Sequence, residues 1–242
     1  MENSIYVGLS RQAALQSEMD TVANNLANVN TPGFRAQFMM YKEYVEKPRG
    51  IEHPISMVED YGQFMSNKPG SFRQTGNSLD VALQGTGFFS VQDASGETLY
   101  TRAGNFSTNA NGGLVTTSGQ PVLDGGGAPI TIPPNSKFIS IGEDGTLSTD
   151  AGVFSRLGIT EFENVNKLKP VGDNMYDGKD AGGATAQNTR AMQGAIESSN
   201  VNPIMEMTHM IDVSRAYQTT ARLLQNEHDR QLTMIQRLSR AS

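Results

Sequence analysis

Apolar side chains recur at alternating steps of three and four residues at both ends of the chain. Near the N-terminus the pattern runs through Ile5, Gly8, Gln12, Leu15, Met19, Val22, Leu26 and Val29. Near the C-terminus it runs through Met207, Met210, Ser214, Tyr217, Ala221, Leu224, His228, Gln231, Ile235 and Leu238. This spacing is a heptad repeat and predicts two long helices, each with one apolar stripe. Since a helix of about 25 residues spans roughly 37 Å, more than a small β domain covers, we expect the two helices to pair in a coiled-coil-like region.

The middle of the chain has a different pattern, in which short β-prone runs alternate with turn residues. Of the 25 glycines, 21 lie between Gly62 and Gly183. The candidate strands are residues 79–83, 87–91, 98–102, 114–116, 138–141 and 156–159. Residues 36–75 are less regular and predict an extended linker region, and residues 173–187 predict a loop. The predicted fold class is α+β with a mainly β centre: a discontinuous helical region (1–35 with 196–242) and a Gly-rich antiparallel β domain (76–195).

The N-terminal helix is followed by an unusual stop signal. Asparagine is a poor helix former, yet four of seven consecutive positions are Asn24, Asn25, Asn28 and Asn30. Pro32 biases Thr31 away from helical angles, and Gly33 permits the positive φ of a sharp reversal. The helix is therefore predicted to stop in a turn formed by Asn30, Thr31, Pro32 and Gly33. At the other end of the chain, Asn202 and Pro203 are the expected N-cap and first residue of the C-terminal helix.

Three segments resemble a known family. Ala-Asn-Asn-Leu-Ala-Asn at 23–28, followed by Thr-Pro-Gly-Phe at 31–34, closely resembles the N-terminal signature of bacterial flagellar rod and hook proteins. The run at 79–91, with Tyr-Thr-Arg-Ala-Gly-Asn-Phe at 100–106, is similar to the β domain that these proteins share. Glu-Ser-Ser-Asn-Val-Asn at 197–202, with Arg-Ala-Tyr at 215–217, resembles their C-terminal signature. The three signatures stand in the family order and cover both ends and the centre of the chain.

The resemblance implies a structural, non-catalytic subunit of the flagellar basal-body rod that polymerises through its terminal helices and transmits torque for motility. It implies other rod proteins and the flagellar type III export apparatus as partners, no cofactor, and a place in the periplasmic rod after export without a cleaved signal peptide. The lead at 72–77 and the short length favour a proximal rod subunit. A distal rod or hook-type axial subunit is the alternative within the family.

An assembly interface is predicted on the two terminal segments. Its expected members are Leu15, Met19, Val22, Asn24, Asn25, Leu26, Asn28, Val29, Met207, Met210, Tyr217, Ala221, Leu224, Ile235 and Leu238. The asparagines at 24, 25 and 28 have two interpretations: they form hydrogen bonds between subunits, or they only soften and end a helix. The first is preferred from the sequence.

Composition removes several classes of function. The chain has no cysteine, which excludes disulfides, thiolate zinc sites and a cysteine nucleophile. Its formal net charge is −6 and its Lys and Arg residues are not clustered, so no nucleic-acid partner is predicted. The first seven residues have neither a basic region nor a continuous apolar region, and no run of about 18 apolar residues occurs. The sequence therefore predicts neither a signal peptide nor a membrane-embedded segment.

Catalytic chemistry has little support in the sequence. The histidines His53, His209 and His228 are scattered, and the acidic residues lie mostly at turns, so no metal site and no small-molecule substrate are predicted. A glycosidase acting on cell-wall sugars is a remote alternative, since spacing along the chain does not fix the separation of two carboxylates. A secreted adhesin or carbohydrate-binding β module accounts for residues 76–160 but leaves both heptad patterns without a role.

Overall fold

The chain divides into two compact units. The computed structural model describes residues 2–46, 55–134, 136 and 138–241, and it describes side chains within these ranges from residue 5 to residue 237. The helical unit consists of Met1–Ala27, Gln37–Phe64 and Asn202–Ser242. The β unit consists of Asn28–Ala36 and Met65–Val201. Each unit is therefore assembled from segments that are far apart in the sequence.

The helical unit is built on two long helices that pack against each other, α1 (Glu2–Ala27) and α2 (Pro203–Ala241). Asn202 caps α2 as predicted, because its Oδ1 accepts the backbone N–H groups of Ile204 at 3.1 Å and Met205 at 3.3 Å. Strands β1 (Gln37–Glu46) and β2 (Ile55–Met65) pair in a two-stranded sheet, and β1 contacts α1. The region expected to be an extended linker therefore contains paired strands, formed by runs rich in aromatic and β-branched residues.

The β unit contains fifteen short strands among its described residues. They are β3 (Phe72–Gln74), β4 (Val81–Gln84), β5 (Phe88–Gln92), β6 (Thr98–Thr101), β7 (Ser107–Thr108), β8 (Leu114–Val115), β9 (Ile139–Ile141), β10 (Thr146–Thr149), β11 (Gly152–Arg156), β12 (Ile159–Phe162), β13 (Lys169–Gly172), β14 (Met175–Asp177), β15 (Gly183–Thr185), β16 (Arg190–Gln193) and β17 (Ala195–Glu197). A 3-10 helix at Val165–Lys167 precedes β13.

The strands of the β unit pair in antiparallel fashion throughout the described registers. The largest sheet has the order β13-β14-β6-β5-β12-β15, and a second has the order β11-β10-β9. Three two-stranded ladders join β16 to β4, β17 to β3 and β7 to β8. With the two helices, this arrangement confirms the α+β class with a mainly β centre.

The main core of the β unit lies among these sheets. Its fully buried members include Phe89, Val91, Leu83, Val122 and Leu147. The rings of Phe89 and Phe106 meet edge to face, with centroids 4.9 Å apart. A smaller cluster around Phe88, Phe162 and Tyr176 packs elsewhere in the unit. These contacts stabilise the β unit.

Two expectations about the β region are wrong. Residues 156–159 are not one strand, because β11 ends at Arg156 and β12 begins at Ile159. Residues 173–187 are not a loop, because they contain β14 and β15. Asp173 and Asn174 both have positive φ, 48° and 57°, and so form a tight reversal between β13 and β14. Polar and glycine-rich composition here marks one tight hairpin and a short edge strand instead of a long loop.

The core makes a direct prediction about stability. Replacing Phe89 with Ala should lower the free energy of unfolding of the β unit by about 3–5 kcal/mol, because it removes a fully buried ring and leaves a cavity. Phe138, which is 59% exposed, is the matched control, and its replacement by Ala should change stability by less than about 0.5 kcal/mol. Chemical denaturation of the two variants measures the difference; equal losses would contradict this assignment of the core.

Candidate assembly interface

Part of the predicted stripe on α1 is buried within the chain. Leu15 and Val22 are buried, and Met19 and Leu26 are half-buried. Gly8 is buried as well, and a Cβ added to it would lie 2.7 Å from Cδ2 of Leu224 on α2. The absence of a side chain at residue 8 therefore permits close approach of the two helices within one chain.

The buried face of α2 differs from the predicted stripe. Its buried residues Glu206, Val213 and Thr220 recur every seven positions, and Glu227 continues the series half-buried. The predicted residues are Met207 and Ile235, which are exposed, and Met210, Tyr217, Ala221 and Leu224, which are half-buried. Leu238 lies on α2, but its side chain is outside the described residues. The sequence pattern missed this face because three of its four members are polar.

The contacts of Asn25 within a single chain explain why an asparagine occupies this position in a helix. Its side chain is 1% exposed, its Oδ1 accepts the backbone N–H of Gln37 at 2.9 Å, and its Nδ2 donates to the carbonyl of Gln37 at 2.8 Å. Nδ2 also lies 3.4 Å from Oε2 of the buried Glu206. One carboxamide thus imitates a backbone pairing partner for the first residue of β1 while it contacts α2. These intramolecular bonds occupy the Asn25 amide within one chain.

The other asparagines lie in less buried positions. Asn24 is exposed, and its Nδ2 lies 3.3 Å from Oε1 of Gln37. Asn28 is half-buried, and its Oδ1 accepts the hydroxyl of Thr31 at 3.0 Å. Val29 is half-buried and packs in the β unit against Phe34, Ala36 and Val201. A role of these residues between subunits therefore remains a prediction.

A second set of polar contacts links α1, α2 and the paired strands β1 and β2, called the β1–β2 hairpin, inside the helical unit. Nε2 of His209 on α2 lies 3.0 Å from Oε1 of Glu18 on α1. The hydroxyl of Tyr41 on β1 donates to the carbonyl of Ala14 at 3.1 Å and to Glu18 Oε2 at 3.2 Å. Burial, followed by the nearby Glu18 charge, raises the pKa of Tyr41, so the phenol stays protonated as a donor. These contacts fix which face of β1 lies on the helices.

After α1 ends at Ala27, the chain turns sharply at residues 31–34. The carbonyl of Thr31 accepts the N–H of Phe34 at 3.2 Å, and Gly33 has a φ of +68°. Proline and a positive-φ glycine at the two central positions are the arrangement of a type II turn. A Cβ on Gly33 would also come within 2.4 Å of the carbonyl carbon of Arg102. Both the backbone angle and the close approach require glycine here.

A buried ion cluster lies directly beyond this turn. Glu197 is 1% exposed, and its Oε1 receives the Arg35 guanidinium at 2.9 Å and the N–H of Gly70 at 3.0 Å. Arg35 also donates to the carbonyl of Asn67 at 2.9 Å. Nε of Arg102 stands 3.8 Å from Oε2 of Glu197, so this second ion pair is held by charge attraction without a hydrogen bond. One carboxylate therefore faces two guanidinium groups in the interior.

The second guanidinium is stabilised mainly by groups other than Glu197. Arg102 donates to the backbone carbonyls of Leu83 and Gly85, and its Cζ lies 5.2 Å from the ring centroid of Phe88. Burial, opposed by the Glu197 charge and assisted by the Arg35 charge, lowers the pKa of Arg102 to about 10. Burial also lowers the pKa of Arg35, and Glu197 opposes that shift. Arg102 remains cationic at neutral pH, since its pKa is still well above 7.

The three resemblance segments meet at this cluster. Arg35 follows the N-terminal signature, Arg102 lies in the central signature, and Glu197 begins the C-terminal signature. The backbone N–H of Gly33 donates to the carbonyl of Glu197 at 2.7 Å, and Asn200 Oδ1 accepts the N–H of Ala36 at 2.7 Å. None of these three charged residues was predicted as part of a site. The available signal was that Arg102 and Glu197 lie inside the resemblance segments and that Arg35 directly follows one.

The parts of the chain that the structure describes hold no group of three or more His, Cys, Asp or Glu side chains arranged to bind a metal ion. In the same parts, neither helix is both long and apolar enough to cross a bilayer. The features found in the described residues are the helix pair, the hydrogen bonds of Asn25 to Gln37 and Glu206, which we call the Asn25 clamp, and the buried ion cluster.

The turn predicts a difference between two glycines with positive φ. Gly119 has φ of +90°, but an added Cβ there meets nothing within 4 Å. Gly119→Ala should therefore cost only the backbone strain of about 1–2 kcal/mol, whereas Gly33→Ala should cost roughly 1–3 kcal/mol more because of its clash with Arg102. Denaturant titration of both variants measures this; similar losses would contradict a specific role of the close approach at Gly33.

The Asn25 clamp predicts a charge-sensitive position. Asn25→Asp removes the Nδ2 donor and places a carboxylate beside the Gln37 carbonyl and Glu206, so it should destabilise the helical unit by about 3 kcal/mol. Asn24→Asp adds the same charge one residue earlier at an exposed position and should cost under about 1 kcal/mol. Thermal unfolding followed by circular dichroism at a helical wavelength separates the two, and equal midpoints would refute the clamp.

Comparison with known proteins gives the same three segments. Residues 5–35 match the family model of flagella basal body rod proteins, residues 82–149 that of the flagellar hook protein FlgE/F/G D1 domain, and residues 192–237 that of the flagellar basal body rod FlgEFG protein C-terminal region. These matches cover both ends and the centre of the chain, as the resemblance predicted.

Similar relatives span nearly the whole chain. A flagellar basal-body rod protein FlgF of Caulobacter vibrioides is 38% identical over 99% of this chain and 99% of its own. A FlgF of Mesorhizobium japonicum is 36% identical over 93% of this chain and 92% of its own. A flagellar basal-body rod protein FlgG of Buchnera aphidicola subsp. Schizaphis graminum is 32% identical over 98% of both chains. The chain therefore belongs to the flagellar basal-body rod protein family.

Proposed function

We propose that the chain is a structural subunit of the flagellar basal-body rod, of the proximal FlgF type. The observation that carries the proposal is the convergence of the three family segments on the buried Arg35–Glu197–Arg102 cluster of the β unit. That cluster fastens the segment after α1 beside the segment before α2 within the β unit.

The partners and the location follow from this role. The subunit stacks with other rod proteins, which transmit torque along the axis, and it has no catalytic part. It reaches the periplasmic part of the basal body through the flagellar export apparatus, without cleavage of a signal peptide. The residues on the outer surfaces of α1 and α2 supply its contacts with neighbouring subunits.

A distal rod subunit is the second candidate, because FlgG relatives are 32–33% identical over 98% of the chain. Full-length identity is higher for the FlgF relatives, at 38% over 99% of the chain. The two candidates differ in position along the rod. Immunoelectron microscopy of isolated basal bodies distinguishes them: label at the cell-proximal end supports the first, and label only next to the hook supports the second.

Genetic complementation tests the structural role. Cells that lack this chain should have no complete rod and should not swim, and the full-length protein should restore both. A version without residues 1–33 should restore neither, since it lacks α1 and the turn at Gly33. Swimming assays and electron microscopy of basal bodies give the readout; intact basal bodies in the deletion strain would overturn the proposal and favour a secreted β module.

A single substitution tests the helix pair separately. Leu26→Asp puts a charge on the half-buried face of α1, and it should reduce swimming at least tenfold because an unpaired carboxylate is costly there. Ala27→Asp adds the same charge at the next, exposed residue and should leave swimming nearly unchanged. Immunoblots confirm equal protein levels, and a motile Leu26→Asp strain would count against the helix pair as part of assembly.

A further inference from the structure

Helix α2 carries an exposed apolar surface on the side opposite to the face that packs on α1. Ile204, Met207 and Ile211 are 75%, 52% and 51% exposed, and their spacing of three and four residues puts them on one side of the helix. Arg215 and Arg222 continue the same side toward the C-terminus, and both are exposed. We call these five residues the outer face of α2. It is apolar at its start and basic farther along.

The β1–β2 hairpin carries a matching surface. Tyr41 points to α1, so Phe38, Met40 and Tyr44, which alternate with it along β1, lie on the opposite side, and they are 38%, 37% and 48% exposed. The Phe38 ring stacks on Phe64 of β2, with centroids 5.3 Å apart. We call this side the outward face of the hairpin.

The outward face of the hairpin also carries charge. By the same alternation, Glu46 lies on this face beyond Phe38, Met40 and Tyr44, and it is exposed. Lys42 lies on the same face, and its Nζ stands 5.8 Å from the centroid of the Tyr61 ring. The carboxylate of Glu46 is therefore at the end of β1 far from Phe38, just as Arg222 is far from Ile204 along α2.

The two faces also agree in length. Ile204 and Arg222 are 18 residues apart on a helix, which is about 27 Å. Phe38 and Glu46 are eight residues apart on a strand, which is also about 27 Å. If the apolar ends are aligned, Ile211 falls near Met40 and Arg222 falls near Glu46. Both faces are exposed in the folded chain, so they do not cover each other within one molecule.

We propose that the outward face of the hairpin in one copy receives the outer face of α2 from a second copy of this chain. The inference rests on the proposed role as a rod subunit. Such a contact joins two different surfaces, so repetition produces an open helical array instead of a closed dimer. Burial of apolar side chains stabilises the first part of the contact, and attraction between opposite charges fixes its register and direction.

Because the chain contains no cysteine, engineered disulfides test the contact cleanly. Two full-length copies with different tags, one Met40→Cys and the other Ile211→Cys, are expressed together in the deletion strain, and isolated basal bodies are oxidised. The mixed cross-link should exceed by at least tenfold that of a control pair, Met40→Cys with Ala151→Cys, since Ala151 is exposed in a turn of the β unit. Cross-links to a different axial protein in place of the mixed product, or cross-linking within one chain that carries both cysteines, would overturn the proposal.

Charge exchange provides a second measurement. Arg222→Glu and Glu46→Arg should each reduce the mixed cross-link at least fivefold, and a chain with both changes should recover it, since the pair is only reversed. A double variant no better than either single variant would refute the proposed register. Two further observations distinguish a failure of this contact from a failure of the proposed rod function. Normal motility without the mixed cross-link overturns the contact alone, whereas basal bodies that are intact without this chain overturn the rod function itself.

Discussion

The structure depends on one buried carboxylate, Glu197, held between two arginines that come from distant parts of the sequence. Removing three charged groups from water is expensive, and the cost is offset only where each group finds partners. Glu197 satisfies Arg35 directly, while Arg102 relies on backbone carbonyls and the Phe88 ring. Loss of Glu197 would leave two cations facing each other in the interior. The cluster therefore allows few alternative arrangements of the three segments that supply it.

This constraint links the turn at Gly33 to the segment that runs from β17 to α2. The Gly33 N–H bonds the Glu197 carbonyl, and the Phe34 carbonyl accepts the N–H of Asn200 at 3.3 Å. The two segments leading to the helices are thus tied by backbone bonds as well as by charge. A side chain at residue 33 would separate them, because the Arg102 backbone occupies that space. The turn at Gly33, the Arg35–Glu197 ion pair and the backbone bonds between these two segments therefore depend on one another.

Local signals in the sequence were sufficient for much of this fold. Periodicity predicted both helices, Asn202 and Pro203 predicted the start of α2, and Pro32 with Gly33 predicted the turn. Pairing of β1 with β2, the hairpin at Asp173 and Asn174, and the polar face of α2 were missed. The polar face of α2 depends on a partner distant in sequence: a polar residue such as Glu206 counts against an apolar stripe until its neighbour Asn25 is known. The ion cluster escaped for the same reason, since its members are separated by 67 and 95 positions.

The polar face of α2 has a consequence for how the helices are used. The α1–α2 seam combines the apolar Val213 with the polar Glu206, Thr220 and Glu227, so hydrogen bonds such as those of Asn25 contribute to the register of the pair. Polar groups at a helix interface restrict the allowed register at the expense of stability. The exposed side chains of Ile204 and Ile211 lie on the opposite side of α2. The helix therefore separates two tasks: its inner face selects one intramolecular arrangement, and its outer face keeps the apolar surface from which a second molecule can gain binding energy.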